Sequence, residues 1–113
     1  MSLGEFEQFL MFAILDLGED AYGVAMRRRI EERTGREVSP GAVYTALDRL
    51  EKKGLVSSSL DQATPQRGGR RKKFYTLEPA GAQALRESFE RLSRMADGLL
   101  GELAHVADGA GSS

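Results

Sequence analysis

The chain has 113 residues, room for one domain, and its 41% hydrophobic and 29% charged residues are the ordinary balance of a soluble globular protein. It has no cysteine and one histidine, His105, which excludes disulfides, thiolate metal sites, cysteine nucleophiles and zinc sites built on several histidines. The net charge of −1 is a cancellation: residues 1–23 hold five acids and no base, residues 24–75 hold 13 bases and six acids, and residues 76–113 hold three bases and six acids, which puts any polyanion-binding surface in the middle segment.

Residues 3–17 predict a first helix, because Phe6, Phe9, Leu10, Ala13, Ile14 and Leu17 follow helical spacing, with Ser2 as cap and Gly18 as stop. Met11, Phe12 and Leu15 make it apolar on nearly all sides. One face can pack on the core, and the other needs a cover, most simply a second subunit. Asp20 predicts the cap of a second helix from Ala21 to Thr34, closed by Gly35. Tyr22, Ala25, Met26 and Ile30 form its inward stripe, and Arg27, Arg28, Arg29 and Arg33 lie largely off it. Arg27, Arg28 and Arg29 read either as a solvated face paired with Glu31, Glu32 and Glu37 or as a source of one phosphate ligand.

A third helix opens on Ser39 as N-cap and Pro40 at the first helical position, and runs to Lys53 before Gly54. Val43, Ala46, Leu47 and Leu50 are its inward stripe. Leu55–Leu60 then reads as a short strand, residues 61–72 (DQATPQRGGRRK) as a loop, and Phe74–Leu77 as a returning strand. A last helix begins near Pro79. Its Leu85, Phe89, Leu92, Ala96, Leu99 and Leu103 are spaced 4, 3, 4, 3 and 4, a heptad-like seam. Residues 106–113 are small and polar and predict a disordered tail.

This order is mainly α with a small β-hairpin, the winged helix-turn-helix arrangement followed by a long C-terminal dimerisation helix. The expected boundaries are a DNA-binding domain over 1–78, whose first helix also serves the dimer, the helix over 79–105, and the tail over 106–113. A helix is narrow enough for the major groove of B-DNA, and a basic hairpin tip can lie along phosphates. Helix 39–53 is the candidate recognition helix. Thr45 suits a base edge or a thymine methyl, Tyr44 and Arg49 suit phosphates or bases, and Ala42 lies on the same outward side. Ser39 and the free amides behind it suit a phosphate. Tyr44 reads equally well as a half-buried packing residue, and Asp48, which would repel phosphate, as the partner of Lys52 or an acceptor from a base. The hairpin tip adds Arg67, Arg70, Arg71, Lys72 and Lys73 without an acid between Gln62 and Leu77. The expected dimer interface is Phe6, Phe9, Leu10, Leu85, Phe89, Leu92, Ala96, Leu99 and Leu103.

Catalysis finds no support. Gly68-Gly69 lacks the strand-to-helix context of a phosphate loop, the neighbouring carboxylates sit at caps and surfaces, and His105 has no fixed acid beside it. No metal or cofactor is expected. No apolar run approaches the roughly 20 residues that cross a bilayer. The opening MSLGEFEQF carries acids where a secretory signal carries bases, so a cytoplasmic location without membrane contact is expected. Met1-Ser2-Leu3 can equally include residues left by an expression vector.

The segment AYGVAMRRRIEERTGREVSPGAVYTALDRLEKKGLV (21–56), followed by GGRRKKFYTLEPAG (68–81), resembles the PadR family of bacterial transcriptional regulators. The chain departs from the usual family pattern at Tyr22-Gly23-Val24, where His-Gly-Tyr is common, and at Glu78, where Thr is common. The resemblance implies a homodimer on a pseudo-palindromic, two-fold symmetric operator in double-stranded DNA, acting as a repressor. The chain is similar to the short subfamily with one C-terminal helix, and the resemblance implies that this helix crosses the partner and packs on its first helix. It also implies release from DNA by a small lipophilic or aromatic effector near the dimer interface, where Phe6, Phe9, Phe12, Phe89 and Met95 are candidate lining residues. A winged-helix protein–protein adaptor without DNA binding is the alternative, and the acid-free basic tip argues against it.

Overall fold

A computed structural model describes residues 2–60 and 72–109 of the chain. Its elements are α1 (Glu5–Leu17), a 3-10 turn (Gly18–Asp20), α2 (Gly23–Thr34), α3 (Pro40–Lys52), β1 (Val56–Leu60), β2 (Lys73–Leu77), α4 (Pro79–Ala96) and α5 (Leu100–Ala107). Three helices followed by an antiparallel hairpin form the expected winged helix-turn-helix.

Each of the first three helices turns one stripe inward. Leu10, Met11 and Ile14 come from α1, Met26 and Ile30 from α2, and Val43, Ala46, Leu47 and Leu50 from α3. Leu55, Val56, Tyr75 and Leu85 close this core from the hairpin and α4. Burial of each large aliphatic side chain contributes about 1.5–3 kcal/mol relative to exposure, so these stripes fix which helix faces remain outside. The hairpin pairs Val56 with Leu77 and Leu60 with Lys73. The tip residues Arg67, Arg70 and Arg71 lie outside the described residues.

Two helix starts differ from expectation. The N-cap of α1 is Gly4 rather than Ser2, and its amide donates to Glu7 Oε1 at 3.0 Å. Helix α2 starts at Gly23, not under an Asp20 cap. Tyr22 is extended, and with Ala21 it adds a short rung beside β2. Ala21 O accepts from the Tyr75 amide at 2.8 Å, Tyr22 bridges Phe74, and the two rings meet edge-on at 5.7 Å.

The expected single C-terminal helix is instead two. Helix α4 stops at Ala96, Gly98 adopts φ 77°, and α5 begins at Leu100. A left-handed residue cannot continue a right-handed helix, and glycine takes that conformation without a Cβ penalty. The heptad-like seam is therefore interrupted between Ala96 and Leu99. Residues Val106 and Ala107, expected in the tail, are helical. Leu10 and Leu85 are also corrected: they are 0% and 3% exposed and belong to this chain's own core, so they are not available to a partner.

Helix α4 joins the body at a close crossing. The Leu55 carbonyl accepts from the Glu78 amide at 3.0 Å, and a Cβ placed on Gly81 would lie 2.0 Å from that same oxygen. Backbone on both sides leaves nothing that can swing aside. Gly81→Ala is expected to destabilise the fold by about 1–3 kcal/mol, as overpacking does, read as a lower urea midpoint. An unchanged midpoint would contradict the crossing.

Candidate nucleic-acid interface

Burial of Val43, Ala46, Leu47 and Leu50 leaves Ala42, Tyr44, Thr45, Asp48, Arg49 and Lys52 on the solvent side of α3. All of the α3 residues expected to meet DNA are thus exposed on one face. Ser39 is the N-cap: its Oγ accepts from the Ala42 amide at 3.2 Å, with Pro40 in the first turn. Such a cap is worth about 1 kcal/mol. The Val43 amide donates to the Ser39 carbonyl at 3.3 Å, which leaves the Gly41 amide and the helix dipole facing the start of α3, where an anion is favoured.

Tyr44 is half-exposed, and its ring lies across the start of α2. A Cβ on Gly23 would stand 2.4 Å from the Tyr44 hydroxyl. Its two expected readings are therefore combined, with the ring packed on Gly23 and one edge in solvent. Asp48 pairs with Lys52 at 3.0 Å, as the spacing suggests. Arg49 has no ion-pair partner among the described residues.

The lysines at the base of the hairpin are held. Lys72 Nζ sits 4.1 Å from the centre of the Tyr22 ring. Lys73 Nζ lies 3.6 Å from Glu51 and 5.7 Å from the Tyr75 ring, so part of its charge is matched within the fold. Glu51 also accepts from Ser58 Oγ at 2.6 Å, which ties the end of α3 to both strands. Burial pushes the Tyr75 phenol up from its ordinary value, against the opposing pull of Lys73, so it is a neutral packing group.

On α2, Arg27 pairs with Glu31 at 3.5 Å and Arg29 with Asp16, which also lies 3.9 Å from Arg33. Arg28 is exposed and has no ion pair among the described residues. Of the expected glutamate pairings on this face only Arg27–Glu31 is formed among the described residues; Arg29 turns to Asp16 of α1 instead.

A second feature lies along α1 and α4. Phe12 meets Phe89 edge-on at 6.0 Å. Phe89, Leu92, Met95, Leu99, Leu100, Leu103 and Val106 are each between 52% and 76% exposed, and Leu15 is exposed beside them. Phe6 and Phe9 are partly buried against the core, and Ala96 is half-buried. A groove of about 670 Å³ opens between α1, α2 and α4, walled by Phe9, Phe12, Leu15, Ile30 and Phe89 and edged by Asp16, Arg29, Arg33 and Thr34. Phe6 and Met95, expected around an effector, do not line it. Among the described residues no helix is long and apolar enough to cross a membrane, and no cluster of acids and histidine could hold a metal ion.

The ion pairs Arg36–Glu5 and Lys53–Glu7, at 3.6 and 3.5 Å, escaped the sequence reading. One signal was present: Glu7 falls on the same helical stripe as Leu3, Leu10 and Ile14, where a charge needs a partner.

The transcriptional regulator PadR-like family model matches residues 11–87, the span that holds α2, α3, the hairpin and the Gly81 crossing. The chain belongs to this family. A PadR-like protein is a transcriptional regulator and not an enzyme. Transcriptional regulator Rv3488 of Mycobacterium tuberculosis is 40% identical over 75 residues, a match that spans 66% of each protein, just under two thirds of the relative's length. Among solved structures, a PadR family transcription regulator from Clostridium difficile superposes with a TM-score of 0.66 at 26% identity, over 88% of this chain and 98% of that one. The complex structure of hsRosR-S1 gives a TM-score of 0.62 at 33% identity, over 97% of this chain and 94% of that one.

Proposed function

We propose that this PadR-like regulator binds a pseudo-palindromic site in double-stranded DNA as a homodimer and acts there as a repressor. The observation that carries the reading is the outward face of α3, where Ala42, Thr45 and the unpaired Arg49 stand together behind the Ser39 cap. Thr45 and Arg49 are placed to reach base edges in a major groove, and Tyr44 with the start of α3 to hold phosphates. Lys72, on its aromatic seat, and the tip arginines Arg67, Arg70 and Arg71 serve the backbone. Lys73 serves it more weakly because Glu51 shares its charge.

The exposed apolar residues of α4 and α5 between Phe89 and Val106, together with Phe12 and Leu15 of α1, are more numerous than the scattered apolar residues of a surface without a partner. A second copy of the chain covers them in this reading. Two-fold pairing then sets two α3 helices about one turn of DNA apart. The groove beside Phe12 and Phe89 has a size that takes a small lipophilic molecule, so an effector, if it acts, acts at the wall the second copy also meets.

The test begins with selection of bound sequences from random duplexes. Affinity for the selected duplex should fall by about a hundredfold or more between about 50 and 200 mM salt, as several phosphate contacts require. Flat salt dependence, or no binding at low salt, would contradict the reading and favour a protein–protein adaptor. The dimer is tested separately. Leu92→Lys with Leu99→Lys changes two exposed positions and should leave a folded monomer by sedimentation and circular dichroism. A variant that still sediments as a stable dimer would refute this interface.

A further inference from the structure

Two acids, Glu5 and Glu7, stand beside the outward face of α3, where negative charge opposes a phosphate backbone. Glu7 is the charged residue buried in the fold among the described residues, at 8% exposure. Its Oε1 accepts from the Gly4 amide at 3.0 Å, and its Oε2 lies 3.5 Å from Lys53 Nζ, just past the last turn of α3. Two residues earlier, Glu5 lies 3.6 Å from Arg36 Nη1, in the linker ahead of α3. The Arg36 guanidinium also covers the Phe6 ring at 5.3 Å. Three consecutive residues of α1 thus grip both flanks of α3. Between the two grips runs a groove of about 530 Å³, with Gly4–Glu7 on one wall and Gly41, Ala42, Thr45, Ala46 and Arg49 on the other.

Helix α1 is about 20 Å long. At its start it holds the recognition helix; toward its end Phe12 and Leu15 carry the apolar face. A helix of that length, packed on the core through Leu10, Met11 and Ile14, moves as one body.

We propose that Glu5 and Glu7 are positioning residues for DNA recognition: acting through Arg36 and Lys53, they fix the angle of α3 against α1 and so couple the base-reading face to the apolar face. The inference rests on the duplex-binding reading above and adds to it residues that touch no base.

Electrostatics and positioning give opposite signs, which makes the inference testable. An acid beside the DNA face repels phosphate, so its neutralisation by itself tightens binding to every duplex. Loss of a grip on α3 instead weakens binding where the angle matters, at the selected sequence. The full-length variants are Glu7→Gln, in which the amide oxygen can still accept from the Gly4 amide, and Glu5→Gln, at an exposed position that threatens folding little. Each is measured against the selected duplex and an unrelated duplex of equal length, at one salt concentration and below the melting temperature of the variant. Each variant should lose about threefold in affinity for the selected duplex, the scale of one such ion pair, with affinity for the unrelated duplex unchanged or raised. Tighter binding to both duplexes would overturn the inference in favour of plain repulsion. Equal weakening of both, or an unchanged ratio in both variants, would also overturn it. Wild-type protein that binds no duplex would defeat the functional reading itself, and this inference with it.

Discussion

The arrangement depends on the inward stripe of α3. Val43, Ala46, Leu47 and Leu50 are all buried, at 4% exposure or less. A helix has one rotation about its axis that buries such a stripe, and that rotation turns Ala42, Thr45 and Arg49 to solvent together. Apolar packing thereby decides which polar side chains can meet a groove. The Ser39 cap and Pro40 fix where the helix begins, and hence which amides face an anion.

Around that helix the fold is a set of braces. Glu51 joins its last turns to Ser58 and Lys73 of the hairpin. Gly23 lets the Tyr44 ring lie against the start of α2. Gly81 lets α4 cross under Leu55. The first turn of α1 reaches Arg36 and Lys53 on either side. The exposed pairs among these, such as Arg36–Glu5, add little to stability one at a time. Their effect here is geometric, because they tie elements far apart in sequence to one short helix. The long arm of α4 and α5 stands off this body. The radius of gyration, 17.4 Å, exceeds the roughly 13 Å of a compact chain of this length.

Much of this was legible in the sequence because it depends on local signals. The stripe of α3, its cap and the paired strands follow from periodicity, Ser-Pro and a change of period at Gly54. Family motifs over 21–81 pointed to the same fold. What the sequence concealed was non-local. Asp20 looked like a helix cap, but Ala21 and Tyr22 were recruited by β2 through a hydrogen bond across 54 residues of chain, from Tyr75 to Ala21. Leu10 and Leu85 had the spacing of interface residues, yet the same spacing serves the chain's own core, and only the packing of α4 on α1 separates the two uses. Gly98 sat inside an unbroken apolar repeat, so periodicity alone carried the helix through it. The ion pairs of Glu5 and Glu7 join residues 31 and 46 positions apart, beyond the reach of any local pattern.

The central claim is that the outward face of α3 is the surface that meets DNA. Backbone amide NMR of the full-length protein, titrated with its selected duplex, tests this most directly. The largest shift changes should fall on residues 39–49 and on Lys72, with smaller changes on the exposed apolar residues of α4 and α5. Changes concentrated on those apolar residues, with α3 unperturbed, would contradict the claim.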